Sequence, residues 1–317
     1  MPTDLPDSRR SPRFAGLVTF GRYPRLDDLD HDPDWTVYGV PFDGGVTYRP
    51  GARFGPRAIR DASQYLKRYS VEHDVDVCES LSLADAGDAP VSPYSIQRTL
   101  DEAAAWAGSL GGPSTRLLAL GGDHSIALAN MRASHAKHGA GAPLAVVHFD
   151  SHLDTVDEVW DERLSHASPF RRAIEEGVID PSRMISIGIK GPLNARSDLD
   201  YARGVGIDVV TYPDWQTGGE GRLRSFVERV GDAPCYVSFD IDVVDPAFAP
   251  GTGTPSIGGF TSAGVLAALR GLRGLHIVGA DVVEVLPDRD PVGITSLLAG
   301  HVAFEILAAS VSRSSGS

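Results

Sequence analysis

Cysteine is almost missing: the 317 residues include two, Cys78 and Cys235, far apart in the chain. That excludes a disulfide-stapled fold and a cysteine zinc site, and fits buried free thiols in a reducing cytosol. Long apolar runs are missing too, so no segment is suited to span a bilayer. The opening stretch MPTDLPDSRRSPRF has no apolar core of the kind a secretory signal needs, and a cytoplasmic location is expected. Basic residues are in deficit, 29 Lys and Arg against 42 Asp and Glu, for a formal net charge of -13. A nucleic acid or an anionic membrane is therefore not an expected partner. No internal repeat, low-complexity tract or Gly/Ser linker divides the chain.

What is there is an alternation. Residues 1–34 are rich in Pro, Asp and Arg and read as an irregular arm, packed on the domain or on a neighbouring subunit. From 35 to 317 the chain reads as a single catalytic domain. Short apolar runs predict strands at 36–40, 116–120, 144–149, 184–187, 208–211, 235–239 and 276–280. Helical patterns lie between them, at 55–66, 95–110, 126–138, 168–177, 221–230, 262–272 and 294–310. Strands alternating with helices imply βαβ units and a parallel sheet, and near-continuous Val, Leu and Ile imply burial on both faces. The expected fold is a three-layer α/β domain.

The polar residues cluster where strands end. GGDH (121–124), HFDSHLDT (148–155), DIDVVDP (240–246) and EVLP (284–287) each follow an apolar run. Ligands of open parallel sheets bind at the carboxyl ends of strands, and four motifs fall at that one end. Asp150, His152 and Asp154 are two residues apart, which in extended backbone sends all three side chains to one side. Crowded there, they repel unless a cation holds them. With His124, Asp240 and Asp242 they give four carboxylates and two imidazoles, which neutralise two divalent cations. Two such ions generate hydroxide at neutral pH, and oxygen-rich ligation with some imidazole suits Mn2+ better than zinc.

These stretches resemble the signature regions of the ureohydrolases, the family of arginase, agmatinase and related amidinohydrolases. The carriers are GGDHS, HFDSHLDT and SFDIDVVDPAFAPGTGTP, with YGVPFDGGVTYRPGARFGPRAIRDAS (38–63), PRFAGLVTF (12–20) and SHASPFRRAIEEGVID (165–180) in support. The resemblance covers most of the chain. It implies an α/β/α fold with a central parallel eight-stranded sheet, two Mn2+ per chain, hydrolysis of a guanidino group to urea and an amine, and a homo-oligomer, trimer or hexamer. It also implies that His124, Asp150, Asp154 and Asp240 hold one ion. Asp150, His152, Asp240 and Asp242 would hold the second, with Asp150 and Asp240 bridging. His166 matches the family's proton shuttle, Glu284 the carboxylate that binds the guanidinium, and Asp154 would also accept a hydrogen bond from the reacting centre. Asp123 is expected to orient its surroundings.

Three positions depart from the family pattern, one of them Ser168, which replaces Thr in the usual HGTPF. Ser151 replaces Ala in the usual DAH, which is harmless if its hydroxyl bonds backbone. Ala167 replaces Gly after His166, which strains the loop if that position needs positive φ. The substrate tail is open. Asp157, Glu158, Asp161 and Glu162 make the 155–169 loop acidic, which suits the amine of agmatine, the first choice. A guanidino acid, of the guanidinobutyrase, guanidinopropionase or proclavaminate amidinohydrolase type, would need a cation such as Arg163, Lys190 or Arg196. Two rivals remain: a single-zinc deacetylase of related architecture and a catalytically silent subunit.

Overall fold

Strands that are apolar on both sides need cover on both faces. The computed structural model, which describes residues 1–139 and 141–311, supplies it. The last positions of the expected domain, 312–317, lie outside the described residues. Eight strands form one all-parallel sheet: β1 (Trp35–Val40), β2 (Leu83–Asp88), β3 (Arg116–Gly121), β4 (Leu144–Phe149), β5 (Ile179–Ile189), β6 (Asp208–Thr211), β7 (Pro234–Asp240) and β8 (His276–Val283). Their order across the sheet is β2-β1-β3-β8-β7-β4-β5-β6. The period of two divides each strand between two apolar layers. Val37, Leu118, Val147 and Val237 enter one layer, and Tyr38, Ala119, Val146 and Tyr236 the other. Helices α1 (Gly55–Ser63), α6 (Glu220–Val230), α7 (Ser262–Arg270) and α8 (Ile294–Ala309) close the first layer. Helices α2 (Ile96–Gly108), α3 (Ile126–His138), α4 (Pro169–Glu175) and α5 (Arg196–Gly204) close the second.

The pattern of apolar runs gives seven of these strands; the eighth is β2. Its sequence, Leu83-Ala84-Asp85-Ala86-Gly87-Asp88, has no apolar run, because it is an edge strand with one neighbour and charged residues at its end. Helix α5 is also absent from the pattern, since of RSDLDYARG only Ala202 is fully buried. Strand β5 begins at Ile179, five residues before the expected Met184, through DPSR, which carries no strand signal.

Residues 1–34 lie against this same domain. Thr3 donates its hydroxyl to Leu81 O at 2.6 Å and accepts from Leu83 N at 2.9 Å, while Phe20 and Tyr23 enter the core. The link is Asp85, which accepts from Phe20 N at 2.7 Å and from the buried Arg60 guanidinium at 2.9 and 3.0 Å. Arg60 is disfavoured by burial, yet Asp85 and Asp88 hold its pKa above the ordinary value. Asp85→Ala strands that cation, so urea unfolding should show a loss of about 3–5 kcal/mol. A loss under about 1 kcal/mol would mean that water or Asp88 takes over the pairing.

Candidate metal centre

Four strand ends build the site, and they belong to the four strands in the middle of the sheet, β3, β8, β7 and β4. His124 follows β3, Asp150 follows β4, Asp240 is the last residue of β7, and Glu284 follows β8. Sheet order thus brings together residues up to 160 positions apart in sequence. Asp154 and Glu284 both turn with positive φ, +49° and +63°. Such backbone is uncommon for non-glycine residues and recurs at functional sites.

His124 Nδ1 stands 3.1 Å from Asp150, 2.9 Å from Asp154 and 3.4 Å from Asp240. It is fully buried and makes no hydrogen bond. Its other nitrogen, Nε2, is 2.8 Å from Ser238 Oγ, which donates to Asp281 at 2.8 Å. That chain gives Nε2 its proton and leaves Nδ1 aimed among carboxylate oxygens, where it offers a lone pair to a cation once its own proton is displaced. A ring nitrogen so placed, surrounded by anionic oxygens, fits a cation. His152 Nδ1 stands likewise 3.3 Å from Asp150 and 3.2 Å from Asp242. Thr254 Oγ1 donates to Asp242 at 3.2 Å. The six residues expected to share two ions are therefore adjacent, with Asp150 facing both imidazoles.

The electrostatics agree. Burial resists charging His124, but Asp150, Asp154 and Asp240 override it and hold its pKa well above the ordinary range; Asp242 and Asp150 do the same for His152. Burial, then Asp242 and Asp150, push Asp240 well up. All three groups thus hold protons that a cation must displace. The sign follows: raising pH removes those protons, so Mn2+ should bind more tightly and raise the melting temperature more at pH 8 than at pH 5. A gain that is level or falling across that range, in thermal melts with and without Mn2+, would count against these residues as ligands.

Beside the cluster, His166 Nδ1 is 2.8 Å from Glu284 Oε1, and Thr47 N donates to His166 Nε2 at 3.0 Å. Nε2 also lies 2.7 Å from Thr47 Oγ1, which can accept from it, so each ring nitrogen has an oxygen partner and the ring can carry a proton on both. Burial disfavours the charged ring, Glu284 favours it, and the result is a pKa raised to about 9 from protein groups alone. Glu284 Oε1 also accepts from His124 N at 2.9 Å, while Oε2 is buried without a partner. Asp123 accepts from Gly45 N at 2.7 Å and from Ser125 N at 2.9 Å, so it orders the loop that carries Thr47. The Ser151 hydroxyl does bond backbone, donating to Asp242 O at 2.7 Å. Ala167 is not among the residues with positive φ, so the strain allowed for at that position does not arise.

A cavity of about 640 Å³ opens over His152, Asp154 and His166 and is walled by Val159, Trp160, Leu193, Asn194, Glu158 and Asp198. Of the four acidic loop residues only Glu158 lines it; Asp157 is taken by Arg172 at 2.6 Å and Arg171 at 3.1 Å. None of the three candidate cations lines it. Arg163 bonds Glu175, Arg196 lies 3.5 Å from Asp200, and Lys190 Nζ donates to Asp242 O at 2.8 Å and to Ser151 Oγ.

Thr47, His148, Ser238, Thr254 and Asp281 are site neighbours that motif reading passed over. His148 had a signal, since it shares the parity of Asp150. Ser238 and Asp281 had one too, as polar residues inside otherwise apolar strands.

The chain is similar to known proteins. The sequence model of the Arginase family covers residues 33–309. Proclavaminate amidinohydrolase of Streptomyces clavuligerus is 45% identical over 307 residues, spanning 95% of each chain. Its solved structure superposes with a TM-score of 0.88 at 44% identity, over 95% of this chain and 99% of that one. Guanidinopropionase of Pseudomonas aeruginosa is 43% identical over 95% of this chain and 94% of its own. A mitochondrial agmatinase of Gallus gallus is 40% identical over 93% of this chain and 86% of its own.

Proposed function

Since the chain belongs to the arginase family, we propose that it is a binuclear manganese amidinohydrolase that splits a guanidino compound into urea and an amine. The observation that carries this reading is the buried Nδ1 of His124, unbonded among Asp150, Asp154 and Asp240. His124, Asp150, Asp154 and Asp240 would hold one ion, and Asp150, His152, Asp240 and Asp242 the other. When bound, the pair would lower the pKa of a shared water towards neutrality and so supply the nucleophile that the weakly electrophilic guanidinium carbon needs.

The remaining work belongs to side chains. Glu284 Oε2, buried and free, pairs with the guanidinium N–H groups. Asp154 accepts a hydrogen bond from the reacting centre. Water oxygen becomes the urea oxygen, the bond from carbon to the substituted nitrogen breaks, and that nitrogen takes a proton. His166 holds one at Nδ1, beside the Glu284 that would bind the substrate. Turnover should fall below about pH 7, because the water must ionise and both metal-facing imidazoles must be neutral. A rate flat down to about pH 5 at saturating Mn2+ would refute a hydroxide nucleophile.

For the tail, a guanidino acid is the first reading, supported by the names of the two relatives at 45% and 43% identity. Agmatine is the second, favoured by Glu158 and Asp198 in a cavity wall that includes no Lys or Arg. Urea release from guanidinobutyrate, guanidinopropionate, agmatine, arginine and guanidine, each with Mn2+, decides between them by kcat/KM. No urea from any of them would favour a silent subunit. One zinc per chain in place of two manganese would revive the deacetylase.

A further inference from the structure

The floor beneath the metal cluster is a single cross-strand row. Ser186 on β5 is in register with His148 on β4, His148 with Ser238 on β7, and Ser238 with Asp281 on β8. All four side chains are completely buried, in a layer otherwise filled mainly by aliphatic and aromatic side chains such as Val146, Met184, Phe170 and Tyr236. Four polar residues side by side in such a layer are costly unless each is bonded to a purpose. Half of the row serves His124, through Ser238 and Asp281 as described. The other half leads elsewhere. His148 Nε2 is 2.9 Å from Asp150 Oδ2, and His148 Nδ1 is 3.2 Å from Ser186 Oγ. The His148 ring lies 4.2 Å from the Phe170 ring, centre to centre, so it has no freedom to turn away.

We propose that His148 is a positioning residue for the bridging carboxylate, and that Ser186 steadies the tautomer that Asp150 requires. An ionised carboxylate only accepts, so the bond to Asp150 requires the His148 proton on Nε2. Nδ1 then bears a lone pair, and Ser186 is the hydroxyl placed to donate to it. Asp150 is the carboxylate that faces both His124 and His152. Holding its Oδ2 from below fixes the direction in which its remaining lone pairs point, and with it the separation of two ions that share it. One residue outside the six expected ligands would thereby govern the affinity for both. This rests on the binuclear reading above.

The test is calorimetric titration of metal-stripped protein with Mn2+, run on parent, His148→Phe, His148→Gln and Ser186→Ala. The parent should take two ions. His148→Phe keeps the ring against Phe170 and deletes both hydrogen bonds, so affinity for both ions should drop by about 10–100-fold. Ser186→Ala keeps the imidazole and removes only the bond to Nδ1, so both affinities should drop by about 2–10-fold, the size of one hydrogen bond. His148→Gln, whose amide N–H reaches towards Asp150, should recover part of the loss. Nitrogen NMR should find the His148 proton on Nε2 in the parent and in Ser186→Ala alike, since Asp150 only accepts. Parent-like binding of both ions by His148→Phe overturns the proposal. So does a parent with the His148 proton on Nδ1, and so does a Ser186→Ala with unchanged affinity, because the ring would then not be aimed at Asp150 in the way described. Should His148→Phe not fold, Ser186→Ala carries the decision by itself. A parent that binds fewer than two ions sinks the binuclear reading first, which separates the two failures.

Discussion

Asp150→Ala and Asp240→Ala should each lower turnover by about 10³–10⁴-fold and remove manganese at the same time. The size follows from the role: charge stabilisation by a bound cation is worth several kcal/mol, and each 1.36 kcal/mol is about tenfold. The coupling of the two losses follows from geometry. Asp150 faces His124 at 3.1 Å and His152 at 3.3 Å, so it stands between both ion positions. Asp240 lies 3.4 Å from His124 and its pKa is pushed up by burial and by Asp242 and Asp150. Removing either carboxylate leaves two cations with less charge between them, and both become weak. Asp242→Ala provides the contrast: it faces His152 only, so one ion should survive. Elemental analysis beside urea release reads both effects on one preparation. Full manganese in either bridging variant would refute the assignment.

His166→Ala should lower kcat by about 10²–10⁴-fold and leave manganese in place. The ring sits between Glu284 Oε1 and Thr47, outside the set of atoms around His124 Nδ1 and His152 Nδ1. Its loss removes the proton donor for the leaving nitrogen, and small imidazole bases added to the variant should restore part of the rate. Its pKa, raised to about 9, also gives a sign. A raised imidazole pKa keeps the proton through neutrality, so the parent's rate should decline only as pH climbs through that value, and bound cations would shift the decline to lower pH. A change of less than a few-fold in His166→Ala would make the residue a loop element. Loss of manganese would put it among the ligands.

Motifs were more legible than elements. GGDH, HFDSHLDT and DIDVVDP announce themselves because several ionisable side chains stand where apolar runs stop, and burying them unpaired is unfavourable enough to demand a reason. The two-residue spacing of Asp150, His152 and Asp154 pointed to one shared site by strand geometry, but the structure brings them together in a loop, since β4 ends at Phe149 and Asp154 turns with positive φ. Strand β2 and helix α5 did not announce themselves, since an edge strand and a surface helix bury little and need few apolar residues. The row from Ser186 to Asp281 was hidden for a different reason. Each member is one polar residue in its own strand, and only the register of four strands shows that they touch. Lys190 illustrates the reverse: a cation suitably placed in sequence, yet turned behind the metal loop to Asp242 O and Ser151.

The position of β8 has a consequence for how the chain matures. It is the last strand to be synthesised, and it lies between β3 and β7 at the centre of the sheet. Before residues 276–283 emerge, the earlier strands make at best two separate ribbons, β2-β1-β3 and β7-β4-β5-β6, each with an inner edge of unpaired amides. Edges of that kind invite pairing with other chains. The pairing of β8 with β3, as in Gly279 with Leu117, spans more sequence than any other strand pairing of the sheet, which slows its formation. A growing or truncated chain therefore stays open to self-association until its final strand threads the gap. The same event delivers Glu284, the carboxylate proposed to bind guanidinium, so a molecule with that group in place is one that has already passed this checkpoint.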